Sequence, residues 1–138
     1  MRFLAGLGLV GILSGCDIGA TQAPNIDLRD LPATFTLRVG EERQIGETVV
    51  RFAAVLGDSR CPSDVVCAWQ GNAELEFAVG PADGRGPSFQ LRLNTALEPR
   101  TGTARGLGVT VVGLAPTPVS TRATRGYRVE LRVEAVTD

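Results

Sequence analysis

The chain has 138 residues, with 14 basic against 15 acidic side chains and a formal net charge of −1. Every basic residue is arginine; there is no lysine and no histidine. That composition excludes an imidazole base for a Ser or Cys nucleophile, an imidazole metal ligand and a lysine Schiff base. Scattered arginines on a nearly neutral chain also give no electrostatic case for nucleic acid.

At the start, Arg2 supplies a minimal positive charge, and Phe3 to Leu13 is an unbroken apolar and glycine run followed by Ser14 and Gly15. A spanning helix needs about 20 residues at about 1.5 Å each, so this run is too short to cross a bilayer and reads as an export signal.

The segment Leu13-Ser14-Gly15-Cys16 resembles the lipobox of bacterial lipoproteins, an aliphatic residue and two small residues before an obligatory cysteine. The resemblance implies a diacylglyceryl thioether on Cys16, removal of residues 1–15, and a new amino terminus open to acylation. One acyl chain holds a protein only marginally, whereas two or more anchor it durably, at roughly 0.8 kcal/mol per buried CH2. The expected partner is thus a membrane, reached through lipid on Cys16, in the cell envelope. Asp17 resembles the inner-membrane retention signal of enterobacterial lipoproteins, but that rule does not transfer between phyla, and the choice of membrane stays open.

Residues 16–31 are polar and small, with Pro24 and Pro32 around their later half, and read as a flexible tether. About 15 flexible residues span roughly 20 Å, enough to lift a domain off the headgroups.

From residue 32 to 138 the hydrophobic period is two. Phe35, Leu37 and Val39 alternate with polar residues, and so do Val50, Phe52, Ala54 and Leu56; Ala73, Leu75, Phe77 and Val79; Phe89, Leu91 and Leu93; and Tyr127, Val129, Leu131 and Val133. Residues 107–114 are more continuously apolar. These are half-buried strands, punctuated by Gly and Pro at Gly40, Gly46, 81–87, Pro116 and Pro118. The expected fold is an all-β antiparallel sandwich of six or seven strands, Ig-like or similar, with a small β-barrel as the alternative. The gap 116–126 reads as a crossing between sheets or a mobile loop. The outward row Arg128, Glu130, Arg132, Glu134 reads as a solvated face, paired across strands with Glu74, Glu76 or Arg92.

With Cys16 assigned to lipid, Cys61 and Cys67 remain as an even pair in an exported protein, which predicts a disulfide. Their spacing is neither the redox C-x-x-C nor half of a zinc site, and so short a closed loop is worth roughly 2–2.5 kcal/mol in the chain-entropy account. The surrounding run, D-S-R-C-P-x-x-V-x-C-x-W-x-G-x-A from Asp58 to Ala73, resembles one in small exported bacterial lipoproteins of unknown function. The resemblance implies an envelope domain and supplies no activity.

Within that run Asp58 and Ser59 are turn formers, and Pro62 fixes φ just inside the bridge. Arg60 and Asp64 are placed to pair with each other or with a partner. Counting by twos from Ala73 through Gly71 puts Trp69 inward, packed on the disulfide, unless a bulge at Gly71 intervenes; the alternative is an exposed Trp69 acting as a binding anchor. Asp58, Asp64 and Asp83 lack the D-x-D-x-D-G order of a calcium loop, and Gly102, Gly106 and Gly108 do not form a phosphate loop. No catalytic residue, metal or cofactor is assigned. The first functional expectation is a noncatalytic binding or structural envelope module. Next come an inhibitor or chaperone-like protein presenting loop 58–72 to another envelope protein, and a carboxylate-based hydrolase, with acid/base work left to carboxylates or Tyr127. Oligomeric state is not legible.

Overall fold

The structure, a computed structural model, describes residues 24–137. The signal segment, Cys16 and the first half of the tether lie outside the described residues. A 3-10 turn, Leu28–Asp30, precedes eight strands: β1 Ala33–Arg38, β2 Glu42–Ile45, β3 Thr48–Asp58, β4 Ala73–Pro81, β5 Phe89–Asn94, β6 Thr101–Ala104, β7 Leu107–Ala115 and β8 Arg128–Ala135. They form two four-stranded antiparallel sheets, ordered β1-β8-β7-β6 and β2-β3-β4-β5, packed face to face. The fold is the expected β-sandwich, with two separate sheets.

Alternation gives each sheet one apolar face. Leu75, Phe77 and Val79 of β4 meet Val109 and Val111 of β7 and Val129, Leu131 and Val133 of β8 in one continuous core, all fully buried. Phe52 and Phe77 are register partners whose rings stack with centroids 5.3 Å apart, within the range where aromatic pairs attract beyond their area burial.

Three readings of the pattern are corrected. Two of the strands, β2 and β6, are four residues each and carry too few alternations to register as periodic. In β3 the register with β4 shifts between Phe52 and Ala54 and again between Val55 and Gly57. The extra residues flip the parity, so Val55 packs on the core while Leu56, expected inside, is exposed. The outward row of β8 faces β1 and β7: Arg128 opposes Arg38, Glu130 opposes Thr36 and Arg132 opposes Thr34. It does not pair with Glu74, Glu76 or Arg92, which belong to the other sheet; Glu76 and Arg92 contact each other there at 3.8 Å.

The segment read as the second half of the tether is docked on the domain. Ile26 bridges Ile45, receiving a hydrogen bond from the Gly46 N–H at 2.9 Å and donating its own N–H to the Gln44 carbonyl at 3.0 Å. Asp27 caps the 3-10 turn by accepting from the Arg29 N–H.

Strand directions give the sandwich two ends. The entry end holds Ile26, the β2–β3 turn, the 81–88 hairpin and the Arg105–Gly106 turn, where Arg105 donates to the Thr48 hydroxyl. The far end holds the 59–72 loop after Asp58, the 95–100 connection and the 116–127 connection. The last of these joins neighbours β7 and β8 of one sheet, so it is not a crossing between sheets.

Candidate functional site

The far end is organised around the cysteine loop. Cys61 and Cys67 form the disulfide, with Cα atoms 5.9 Å apart. At the loop's base the β3–β4 ladder continues past the strands: the Ser59 N–H donates to the Asn72 carbonyl at 2.7 Å and the Cys61 N–H to the Gln70 carbonyl at 3.0 Å. Gly71 permits this close approach. It sits at φ +72°, and a Cβ there would meet the Ser59 carbonyl oxygen at 1.9 Å, so no other residue fits without moving backbone.

Arg60 fixes the loop from beneath. Its guanidinium grips Asp58 through two hydrogen bonds of 2.8 and 2.7 Å and donates to the carbonyls of Leu114 at 2.7 Å and Pro116 at 2.9 Å. The Tyr127 hydroxyl donates to Asp58 at 3.0 Å. Both charged side chains of the pair are largely buried. Burial works to raise the Asp58 pKa, but the hydrogen bonds from Arg60 and Tyr127 and the adjacent positive charge hold it below the usual carboxylate value. Burial first, and then the Asp58 carboxylate, push the Tyr127 phenol up.

Asp64 fixes the loop from its side. Its carboxylate accepts from the Ser120 N–H at 2.8 Å and from the Ser120 hydroxyl at 2.5 Å, which lowers its pKa. The Ser63 N–H donates to the Pro118 carbonyl at 2.9 Å. Arg60 and Asp64 therefore do not pair with each other. Each ties the loop to the 114–120 segment instead, and the connection expected to be a crossing or a mobile loop is one wall of the site.

Asn72 is the positioning residue that sequence reading missed. Its side chain donates to Asn94 at 2.8 Å and accepts from the N–H groups of Ala96 and Leu97 at 3.0 and 3.2 Å. One side chain thus joins the loop base to the 95–100 connection; an Asn directly after Gly71 was its only signal in the sequence.

With its base held in this way, the loop turns apolar side chains outward. Trp69 is 82% exposed and Val66 fully exposed, with Val65 partly so. The inward reading of Trp69 is corrected. Strand β4 begins only at Ala73, the pairing before it is reduced to single hydrogen bonds, and the left-handed Gly71 breaks the count by twos. Trp69 is not a plug on the disulfide.

Of the four residues singled out in this loop, Asp58 and Arg60 come together, while Asp64 and Trp69 sit apart from them on the loop's side and outer surface. Beside the loop lies an open cleft of about 450 Å³ whose walls include Arg60, Gln70, Thr95, Arg100 and Thr117. Among the described residues no group of three or more Cys, Asp or Glu side chains is placed to hold a metal ion.

Among known proteins no family model matches the chain, and no curated protein and no solved structure is significantly similar to it.

Proposed function

We propose that the chain is a bacterial envelope lipoprotein, anchored through acyl chains on Cys16, whose disulfide loop recognises another envelope protein. It is a noncatalytic module in this reading. The observation that carries it is the loop's outer surface, where Val65, Val66 and Trp69 stand in solvent on a backbone held by a disulfide, Arg60, Asp64 and Asn72.

Exposed large apolar side chains on a rigid support are what an interface hot spot needs. The ordering cost is met on folding rather than on binding, and tryptophan is the residue type most enriched at such positions. A loop that served only to close the chain would turn these side chains inward. The inhibitor or chaperone-like version of this function uses the same surface and differs only in what the bound partner then does.

Two experiments test the two halves. Replacing Cys16→Ser should abolish lipid labelling of the protein; labelling that survives rejects the anchor. A photo-crosslinking residue placed at position 66 or 69 in cells should give a discrete adduct with one protein, and the same residue at the entry-end position 85 should not. Equal adducts from all three positions, or none from 66 and 69, reject the loop as recognition element while leaving the anchor standing.

A further inference from the structure

At the far end, beside the disulfide loop, the β1–β8 ladder sets two arginines directly opposite each other. Arg38, the last residue of β1, is the register partner of Arg128, the first residue of β8. Their strand neighbours Leu37 and Val129 are buried, so both arginines project from the outer face. Directly opposed side chains on one face have Cβ atoms about 4.5–5.5 Å apart, and like charges at that spacing destabilise a sheet.

Neither guanidinium is in an ion pair among the described residues, and neither has a side-chain hydrogen bond there. Glu41, in the adjoining turn, directs its carboxylate to the backbone N–H of Arg38 at 2.8 Å. Glu130, the nearest acid along β8, lies on the same face opposite Thr36 and forms no ion pair with either arginine. No acidic residue occurs between Glu98 and Glu130, a stretch that also carries Arg122 and Arg125 just before Arg128.

The two residues flank an open cleft of about 650 Å³, walled also by Val39, Gly126 and Tyr127. Tyr127 is held in place by its hydroxyl, which is committed to Asp58. The cleft therefore carries two guanidiniums that form no ion pair among the described residues, and none of its lining residues is acidic.

We propose that this cleft is a binding site for a phosphate group, clamped between Arg38 and Arg128. A dianion balances the two positive charges, whereas a single carboxylate would neutralise only one. Guanidinium forks match the oxygens of phosphate in bidentate pairs. The proposal does not depend on the lipid anchor or on the disulfide loop as a recognition element.

The test is calorimetric titration of the full chain in detergent at pH 8, with inorganic phosphate, glycerol phosphate and acetate as probes, alongside thermal melts. Wild type should bind phosphate saturably and acetate at least tenfold more weakly. Arg38→Gln and Arg128→Gln should each weaken phosphate at least tenfold, and Arg92→Gln, on the other sheet, should not. Without phosphate, either single variant should melt at a higher temperature than wild type, because the like-charge opposition is gone. Glycerol phosphate binding as tightly as phosphate would identify a phosphoryl group carried on a larger molecule, and preference for free phosphate would identify the solute. Absence of saturable binding, binding that survives both substitutions, or acetate equal to phosphate would each overturn the proposal.

Discussion

Arg60 donates four side-chain hydrogen bonds, two to Asp58 and two to carbonyls of the 114–116 segment. The sequence marked Arg60 as a charged loop residue but pointed it at Asp64 or at a partner. The reason is distance along the chain: Leu114 and Pro116 lie 54 and 56 residues away, and no local pattern announces a contact of that kind. Asp58 was legible as a turn former, and its Asx-type bond to the Arg60 N–H at 3.2 Å is present. Its second role, as counter-ion beneath the loop, needed the fold. Removing the cation should be costly, since Arg60→Met leaves a largely buried carboxylate with no positive charge beside it, holding only the Tyr127 hydroxyl and the backbone N–H of residue 60. We expect a loss of about 2–4 kcal/mol in urea unfolding, with Tyr127→Phe costing about 1 kcal/mol. The pH dependence follows from the lowered Asp58 pKa. A carboxyl more acidic in the folded than in the unfolded chain stabilises fully above its unfolded pKa of about 3.9, and that contribution is lost as pH falls through the lower folded value. Wild type should therefore lose part of its stability below about pH 4, and the Arg60→Met variant should show a flatter acid limb; identical limbs would show that Asp58 is not coupled to Arg60.

At the scale of elements, alternation revealed five of the six longer strands because each carries three or more apolar residues at every second position, and β7 showed as a continuous apolar run. It failed wherever the backbone leaves the regular pleat: at the bulges of β3, in the short β2 and β6, and at Gly71. These failures share a cause, since a pattern of period two cannot count across an inserted or left-handed residue. Gly71 is the sharpest case, because the same residue that ruined the inward reading of Trp69 is what lets the loop base close on Ser59. Gly71→Ala should cost more than about 1 kcal/mol, from positive φ together with the clash on the Ser59 carbonyl. The disulfide is an element of the same loop and acts differently, by restricting the unfolded chain. The double replacement Cys61→Ser, Cys67→Ser should cost about 2 kcal/mol and speed hydrogen exchange at the Ser63 and Ser120 amides, which link the loop to the 118–120 segment. Unchanged exchange at both amides would mean that Arg60, Asp64 and Asn72 hold the loop without the disulfide.

The whole molecule adds a direction that no single element contains. Ile26 is fixed at the entry end, beside Ile45 and the start of β3, while the disulfide loop follows the last residue of that strand. An 11-residue strand at about 3.3 Å per residue separates the two by roughly 33 Å. The chain between Cys16 and Pro24 reaches at most about 28 Å when fully extended, because residues 24–31, read from sequence as tether, are taken up by the domain. Given lipid on Cys16, an upright domain carries Val66 and Trp69 on its membrane-distal end, and the loop meets the anchoring bilayer only if the sandwich tips over. Trp69 is the single tryptophan of the chain and 82% exposed, so its fluorescence reports the loop directly. With the acylated protein in vesicles, emission should match that of the protein in detergent. Acrylamide should quench it strongly, and bromine-labelled acyl chains should not. Trp69→Ala should change the thermal midpoint little, since an exposed side chain away from packed contacts is worth within about 0.5 kcal/mol. A blue shift on the vesicle together with quenching by the brominated lipid would make the loop a membrane-seating device. The apolar tip would then serve the bilayer that holds the anchor, and a protein partner would no longer be needed to account for it.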